Sequence, residues 1–337
     1  MNETVLVTQP EYLKAEDVFR SATAVRCAPV APDEGALAGA VASHSVRVII
    51  VGVPSYRGPL YEALGKLGGG LIARFGVGHD GISKPLARQH GIIVTNTPGV
   101  LDASVAEHTV WLMGCLARHI ARLDARVRAG GFDGRTGTEL RGKTLGILGL
   151  GNIGRRVAAM AHFGFGMKVI ASGRAAAPEP LANCGVECFI TNVEELFRQS
   201  DVVSVHLPDN SGTQRFVNAT RLAWLKPGAL LINTARGAVL DEAALFDALA
   251  GGRMAGAALD VFEHEPYQPV EPAKDLRKLA NVVLTPHVGS NTREANRRMA
   301  QAALENVEHF FAGRIDRLTR VDQSLPKSEN RSTRSPQ

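Results

Sequence analysis

Cysteine is scarce in this chain: four in 337 residues, at Cys27, Cys115, Cys184 and Cys188. So few, so widely spread, excludes a small disulfide-stapled secreted scaffold and fits a reducing, cytoplasmic compartment. Cys184 and Cys188 stand four apart with no histidine or further cysteine beside them, so no metal site is expected. Aromatic residues are also rare, at 5%. Binding nucleic acid would call for rings interleaved with a concentrated basic face. Here a net charge of +5 is dispersed over arginines such as those of LARHIARLDARVRAG. A mild positive excess suits small anions better than a polyanion. No apolar run approaches the roughly 18 residues of a membrane span. The opening MNETVLVTQPEYLK lacks the basic and then apolar order of a secretory signal. Neither nucleic acid nor membrane is an expected partner.

What is present is a globular composition, 45% hydrophobic and 21% charged, in a chain long enough for two domains. Short apolar runs alternate with helical patterns, which predicts α/β architecture with parallel sheets. The first hundred residues hold TVLVTQ, VRVIIVG, LIARFG and IIVTNTPG. The middle holds KTLGILGLG, MKVIASG, DVVSVHLP, GALLINTAR, AGAALDVF and NVVLTPH. Their Val, Ile and Leu bias without alternation suits strands covered on both faces. Between the two sets, one helix is expected from Ser104 to about Arg128. Ser104-Val-Ala-Glu107 reads as a capping box at its start. Met113, Leu116, Ile120, Leu123 and Val127 recur on one face as core packing or a subunit contact. Residues 318–337 read as a disordered tail, being polar from Asp322 onward.

KTLGILGLGNIGRRVAAMAHFG places Gly149, Gly151 and Gly154 in a G-x-G-x-x-G pattern between a strand and a helix. In that setting the first glycine permits the turn, the second admits a pyrophosphate, and the third lets helix and strand pack closely. Asn152 and Ile153 open the helix, whose free N–H groups would face the negative charge. The following strand ends in VIASGR, where an NAD-binding unit carries an acid for the ribose hydroxyl. Ser172, Gly173 and Arg174 stand there instead. A carboxylate would repel a 2′-phosphate, whereas arginine offers it a planar fork. NADP is therefore the preferred cofactor and NAD a possible one.

Polar residues gather just past the later strands: Arg236, Asp260, Glu265 and His287. In a parallel sheet those ends share one edge, the edge where ligands bind. Singly, each has a plain structural reading, such as a cap or a loop residue.

Taken in order, VAEHTVWLM, GLGNIG, NTARG, LDVFEHEP and TPHVGSNT resemble the D-isomer-specific 2-hydroxyacid dehydrogenase family, over roughly residues 45–314. The resemblance implies reduction or oxidation of a small 2-oxo or 2-hydroxy acid, with glyoxylate and hydroxypyruvate as first candidates. It makes Arg236 the arginine that holds the substrate, His287 the acid/base and Glu265 the carboxylate paired with it. Val77 and Gly78, in RFGVGHD, would grip the substrate carboxylate through backbone N–H groups. Leu207, Pro208, Thr234, Ala235 and Asp260 fall on the cofactor side. A homodimer is implied as well.

Glu265 argues against formate, because the family's formate enzymes carry glutamine there. Asp102, His79, Tyr56 and Arg57 sit where no role can be assigned. The expected architecture is two doubly wound parallel-sheet domains facing an interdomain cleft. One is a flavodoxin-like substrate domain, 1–101 and 288–317, and the other a Rossmann-type cofactor domain, 102–287. The other reading, from a different class, is a dinucleotide-sensing interaction protein resembling the corepressors that share this fold.

Overall fold

The computed structural model describes residues 3–173 and 181–322. Arg174 lies outside them, as does the expected tail from residue 323 onward. Strands form where the buried apolar runs stand, and each chain reversal between parallel neighbours is made by helix or loop. The chain divides into two compact units, residues 3–100 with 293–322 and residues 101–292.

The first unit holds β1 (Glu3–Thr8), β2 (Val25–Val30), β3 (Val48–Val51), β4 (Gly70–Arg74) and β5 (Ile92–Thr95). They pair in the order β2-β1-β3-β4-β5, all parallel. This is a doubly wound order with its reversal beside β1 and β3. The central strands are buried on both faces: every residue of β3 is inaccessible. The amphipathic helix Arg293–Phe311 packs Met299, Ala303 and Val307 inward and completes this unit.

The stretch expected to begin a tail is partly ordered. Leu318 is buried, Thr319 accepts a hydrogen bond from the Asn96 backbone (3.2 Å), and Val321 donates to Val94 (2.9 Å). Arg320 bridges Thr95 in antiparallel sense. β5 is an edge strand, and residues 319–321 satisfy the backbone groups it would otherwise leave open.

The second unit holds β6 (Thr144–Leu148), β7 (Lys168–Ser172), β8 (Cys188–Phe189), β9 (Val202–Val205), β10 (Leu230–Asn233), β11 (Gly256–Leu259) and β12 (Val282–Leu284). Their order is β12-β11-β10-β9-β6-β7-β8, again parallel throughout. The sequence order reverses between β6 and β9, and such a switch point opens a crevice at the carboxyl ends of the strands. Residues 288–292 belong here rather than to the first unit, since Val288 and Gly289 are tied to Asp260.

The long helix expected between the strand sets is two helices, Asp102–Ala117 and Ile120–Arg128. His119 adopts left-handed backbone (φ 55°) and separates them. Met113 and Leu116 enter the core, while no residue of Ile120–Arg128 is buried. The capping box does not form. The first helix starts at Asp102, and Ser104 Oγ pairs with Thr292 Oγ1 at 2.7 Å.

Candidate active site

Below the glycine turn, β6 is buried from Leu145 to Leu148. Gly149 turns the chain with φ 103°, a left-handed value that glycine tolerates. Its N–H donates to the Ser172 carbonyl (2.8 Å), while His206 N–H donates to Leu148 (2.8 Å). The turn is thus stitched to the ends of β7 and β9. A methyl group at Gly149 would lie 2.6 Å from the His206 carbonyl oxygen and 3.2 Å from Leu207 Cδ2. At Gly154 it would strike the Gly149 carbonyl, so the helix Asn152–Ala159 can approach β6 only with glycine there. Gly151, by contrast, has nothing within 4 Å of its open face. No side chain caps this helix, so the first-turn N–H groups at Asn152 and Ile153 can receive an anion. This cradle fits a dinucleotide pyrophosphate. Ser172 is buried at the end of β7, and a methyl group at Gly173 would lie 3.7 Å from Leu150 N. The position lacking the acid therefore stands beside the turn. Leu207 is half-buried there and Pro208 exposed.

The register pairs Asn233, Leu259 and Leu284 across β10, β11 and β12. The residues that follow them therefore emerge at one edge. Asn233 shapes the first loop: its Nδ2 donates to the Arg236 carbonyl (2.9 Å) and its Oδ1 accepts from Ala235 N–H (3.0 Å). Thr234 is anchored by its hydroxyl to Thr109 Oγ1 at 2.7 Å. Arg236 is half-buried, and one η nitrogen donates to the Ala235 carbonyl. The next residue, Gly237, lies so close to Phe262 that any side chain would collide with the Phe262–Glu263 backbone. The loop carrying Arg236 thereby rests on the loop carrying Glu265.

Glu265 Oε2 meets His287 Nδ1 at 2.7 Å, while Oε1 accepts from Phe262 N–H at 3.1 Å. His287 has left-handed backbone (φ 53°), uncommon for a residue with a side chain. Its N–H donates to the Asp260 carbonyl (2.8 Å). The imidazole therefore has one nitrogen engaged by carboxylate, which orients the ring and leaves Nε2 for proton exchange.

Behind this pair, Asp260 is 1% exposed. Its carboxylate accepts from Thr285 Oγ1 (2.6 Å), Val288 N–H (2.9 Å) and Gly289 N–H (2.8 Å), and His108 Nε2 lies 3.3 Å away. Burial alone would raise its pKa. The hydrogen bonds from His108, Thr285, Val288 and Gly289 outweigh that and hold it below the usual carboxylate value. Expected on the cofactor side, Asp260 has its oxygens taken by the loop that presents His287. His108 and Thr285 are the residues the sequence reading left out. Their signal, a histidine and a threonine within two quoted motifs, carried no role by itself. His206 also stands at this edge; desolvation pushes its pKa down to about 4, and Ser204 Oγ lies 2.8 Å from Nε2.

Val77 and Gly78 belong to the first unit. Their carbonyls are held from behind by Asn96 Nδ2 (2.9 Å) and Arg74 Nε (2.8 Å). Tyr56 is wholly buried in that unit's core, whereas Arg57 is exposed. Asp102 is buried at the start of its helix. His79 accepts from Lys84 Nζ through its carbonyl (2.6 Å).

The profile of the D-isomer specific 2-hydroxyacid dehydrogenase NAD binding domain matches residues 110–289. The chain belongs to this family. A glyoxylate reductase of Thermococcus litoralis is 43% identical over 254 residues, 73% of this chain and 75% of that protein. A hydroxypyruvate reductase of Thermotoga maritima is 42% identical over 243 residues, 72% of this chain and 76% of its own length. Among solved structures, an NADPH-dependent glyoxylate/hydroxypyruvate reductase of Sinorhizobium meliloti, in complex with NADP and malonate, has a TM-score of 0.77 at 30% identity. That match covers 93% of this chain and 94% of the other. The 2-hydroxyacid dehydrogenase described here is thus an oxidoreductase that uses a nicotinamide dinucleotide. Among its described residues no helix is long and apolar enough to cross a membrane.

Proposed function

We propose that this dehydrogenase reduces a small 2-oxo acid, glyoxylate or hydroxypyruvate, to the D-2-hydroxy acid, with NADPH preferred over NADH. The observation that carries the reading is the 2.7 Å pair of His287 and Glu265 beside the Arg236 loop, on the sheet edge that also bears the glycine turn. The relatives named for glyoxylate and hydroxypyruvate support the substrate class. NADP preference rests on Ser172-Gly173-Arg174, which lacks a carboxylate to repel a 2′-phosphate.

When bound, a reduced nicotinamide would supply the hydride for C2 of the substrate. Arg236 holds the substrate carboxylate and draws charge toward the C2 oxygen. His287 delivers a proton to that oxygen through Nε2, and Glu265 fixes the ring and offsets its charge. Asp260 contributes by holding the His287 loop. Thr234, Ala235, Leu207 and Pro208 line the cofactor side, and Gly149, Gly151, Asn152, Ile153 and Gly154 take the pyrophosphate. Val77 and Gly78 are assigned to the substrate carboxylate. In this reading residues 101–292 are the cofactor domain and the other unit the substrate domain.

The partner is a second copy of the chain, supported by Trp111, Ile120, Val127 and Phe132, large apolar residues that stand exposed. A cytoplasmic setting is supported by the four free cysteines. One preparation tests the whole. Turnover of glyoxylate and hydroxypyruvate should show a higher kcat/KM with NADPH than with NADH, and sedimentation should give twice the chain mass. His287→Ala should lower kcat by about 10² or more. Near-normal turnover in that variant, or a clear preference for NADH, removes the corresponding part of the proposal.

A further inference from the structure

Glu242, the first residue of the helix Glu242–Ala250, is a carboxylic acid with 2% exposure. It lies under the loop that follows β11. Its Oε1 accepts from Glu263 N–H at 2.6 Å, and Glu263 Oε1 accepts from Glu242 N–H at 3.3 Å, a reciprocal clasp. Two residues along the same loop stands Glu265, with its other contacts to Phe262 and His287. The backbone of Gly237, next to Arg236, rests on the Phe262–Glu263 peptide that Glu242 holds. Both loops bearing the chemistry are therefore referred to one buried carboxyl.

The charges around it are of its own sign. Glu263 and Glu265 face it from the loop, and the Tyr267 hydroxyl lies further along the same segment. Asp241 precedes it on its own element. The nearby cation, Arg215, is taken by Glu263 Oε2 at 3.1 Å. Among the described residues Glu242 forms no ion pair, and its Oε2 has no hydrogen-bond partner. An ionised carboxylate in such a place carries a desolvation cost that the single Glu263 N–H bond offsets only in part, and a neutral acid carries far less.

We infer that Glu242 is a positioning residue for this reaction, holding the Glu265 segment with a carboxyl that works uncharged. The inference rests on the reading of Glu265 and His287 given above. Burial first, and the neighbouring Glu263 and Glu265 charges next, raise the Glu242 pKa to about 7 even though the Glu263 N–H bond opposes them. As pH rises through that value the buried charge appears, the clasp is strained, and alignment of Glu265 with His287 deteriorates. Misalignment affects hydride transfer in both directions alike. Loss of a proton from a general acid that touches substrate would instead act in opposite senses, disfavouring reduction and favouring oxidation.

The test compares wild type, Glu242→Gln and Glu242→Ala, in both reaction directions, across pH 6 to 9. Glu242→Gln keeps an oxygen for Glu263 N–H and cannot ionise. Its kcat relative to wild type should rise with pH, by about threefold or more, in the same sense for reduction and oxidation. Glu242→Ala should lose roughly tenfold or more in kcat at every pH, with KM for cofactor little changed. The infrared spectrum of the wild type should contain a protonated-carboxyl band that disappears around pH 7 and is absent from Glu242→Gln, a readout independent of turnover. A flat ratio, a ratio of opposite sense in the two directions, or no such band would overturn the inference. His287→Ala run alongside separates the two levels. If that variant keeps turnover, the reading of the dyad fails; if it is inactive while the ratio stays flat, only the role of Glu242 fails.

Discussion

At the scale of single residues, one carboxylate spends its oxygens on holding the loop of the acid/base candidate. Asp260 collects the N–H groups of Val288 and Gly289 and the Thr285 hydroxyl, and this fixes the strained loop on which His287 stands at φ 53°. Asparagine has the same shape but replaces one acceptor by an NH2 group, which would confront N–H donors in a buried place. Asp260→Asn should cost about 2–4 kcal/mol in urea unfolding and lower kcat as well. A change within about 0.5 kcal/mol would mean the loop holds its shape without this tie. The sequence made Arg236, Glu265 and His287 legible because each sits in a motif directly after an apolar strand. It did not reveal what engages Asp260. The four groups that meet it come from an earlier helix and from three positions after β12, and only tertiary structure joins them.

At the scale of elements, the glycine turn separates two roles that one motif runs together. Gly154 is needed for the fold, since a methyl group would meet the Gly149 carbonyl, whereas Gly151 faces open space. Gly154→Ala should therefore lower the melting temperature of the cofactor-free protein by several degrees and weaken cofactor binding too. Gly151→Ala should melt with wild type yet bind NADPH roughly tenfold or more weakly by fluorescence titration. A Gly154→Ala protein that melts normally would break the distinction.

The same scale shows why some elements were readable. Strands buried on both faces, such as β3 and β10, announce themselves as unbroken apolar runs. β2, sequence VRCAPV, was missed because it is a half-exposed edge strand carrying Pro29, and β8 is only two residues long. The helix after residue 102 read as continuous because its apolar spacing runs across His119, and no local residue type marks the left-handed break there.

At the scale of the whole molecule, half-buried His206 and buried Glu242 give opposing contributions to stability against pH. His206 has its pKa lowered to about 4 from 6.5. The unfolded chain then binds more protons between these values, so this contribution is present above pH 6.5 and is lost as pH falls through about 4. Glu242 has its pKa raised to about 7 from 4.5. Here the folded chain holds the extra proton, so the contribution is present below pH 4.5 and is lost as pH rises through about 7. Each amounts to roughly 3 kcal/mol, and over about pH 4.5–6.5 they nearly cancel. Removing one should expose the other. Relative to wild type, Glu242→Gln should gain stability steadily as pH is raised from 4.5 to 7. His206→Gln should instead lose its deficit, or gain, as pH is lowered from 6.5 to 4. Urea unfolding at half-unit pH intervals reads both slopes. Parallel curves for wild type and Glu242→Gln would show that the Glu242 carboxyl is already ionised across this range, its charge met by solvent rather than suppressed by burial.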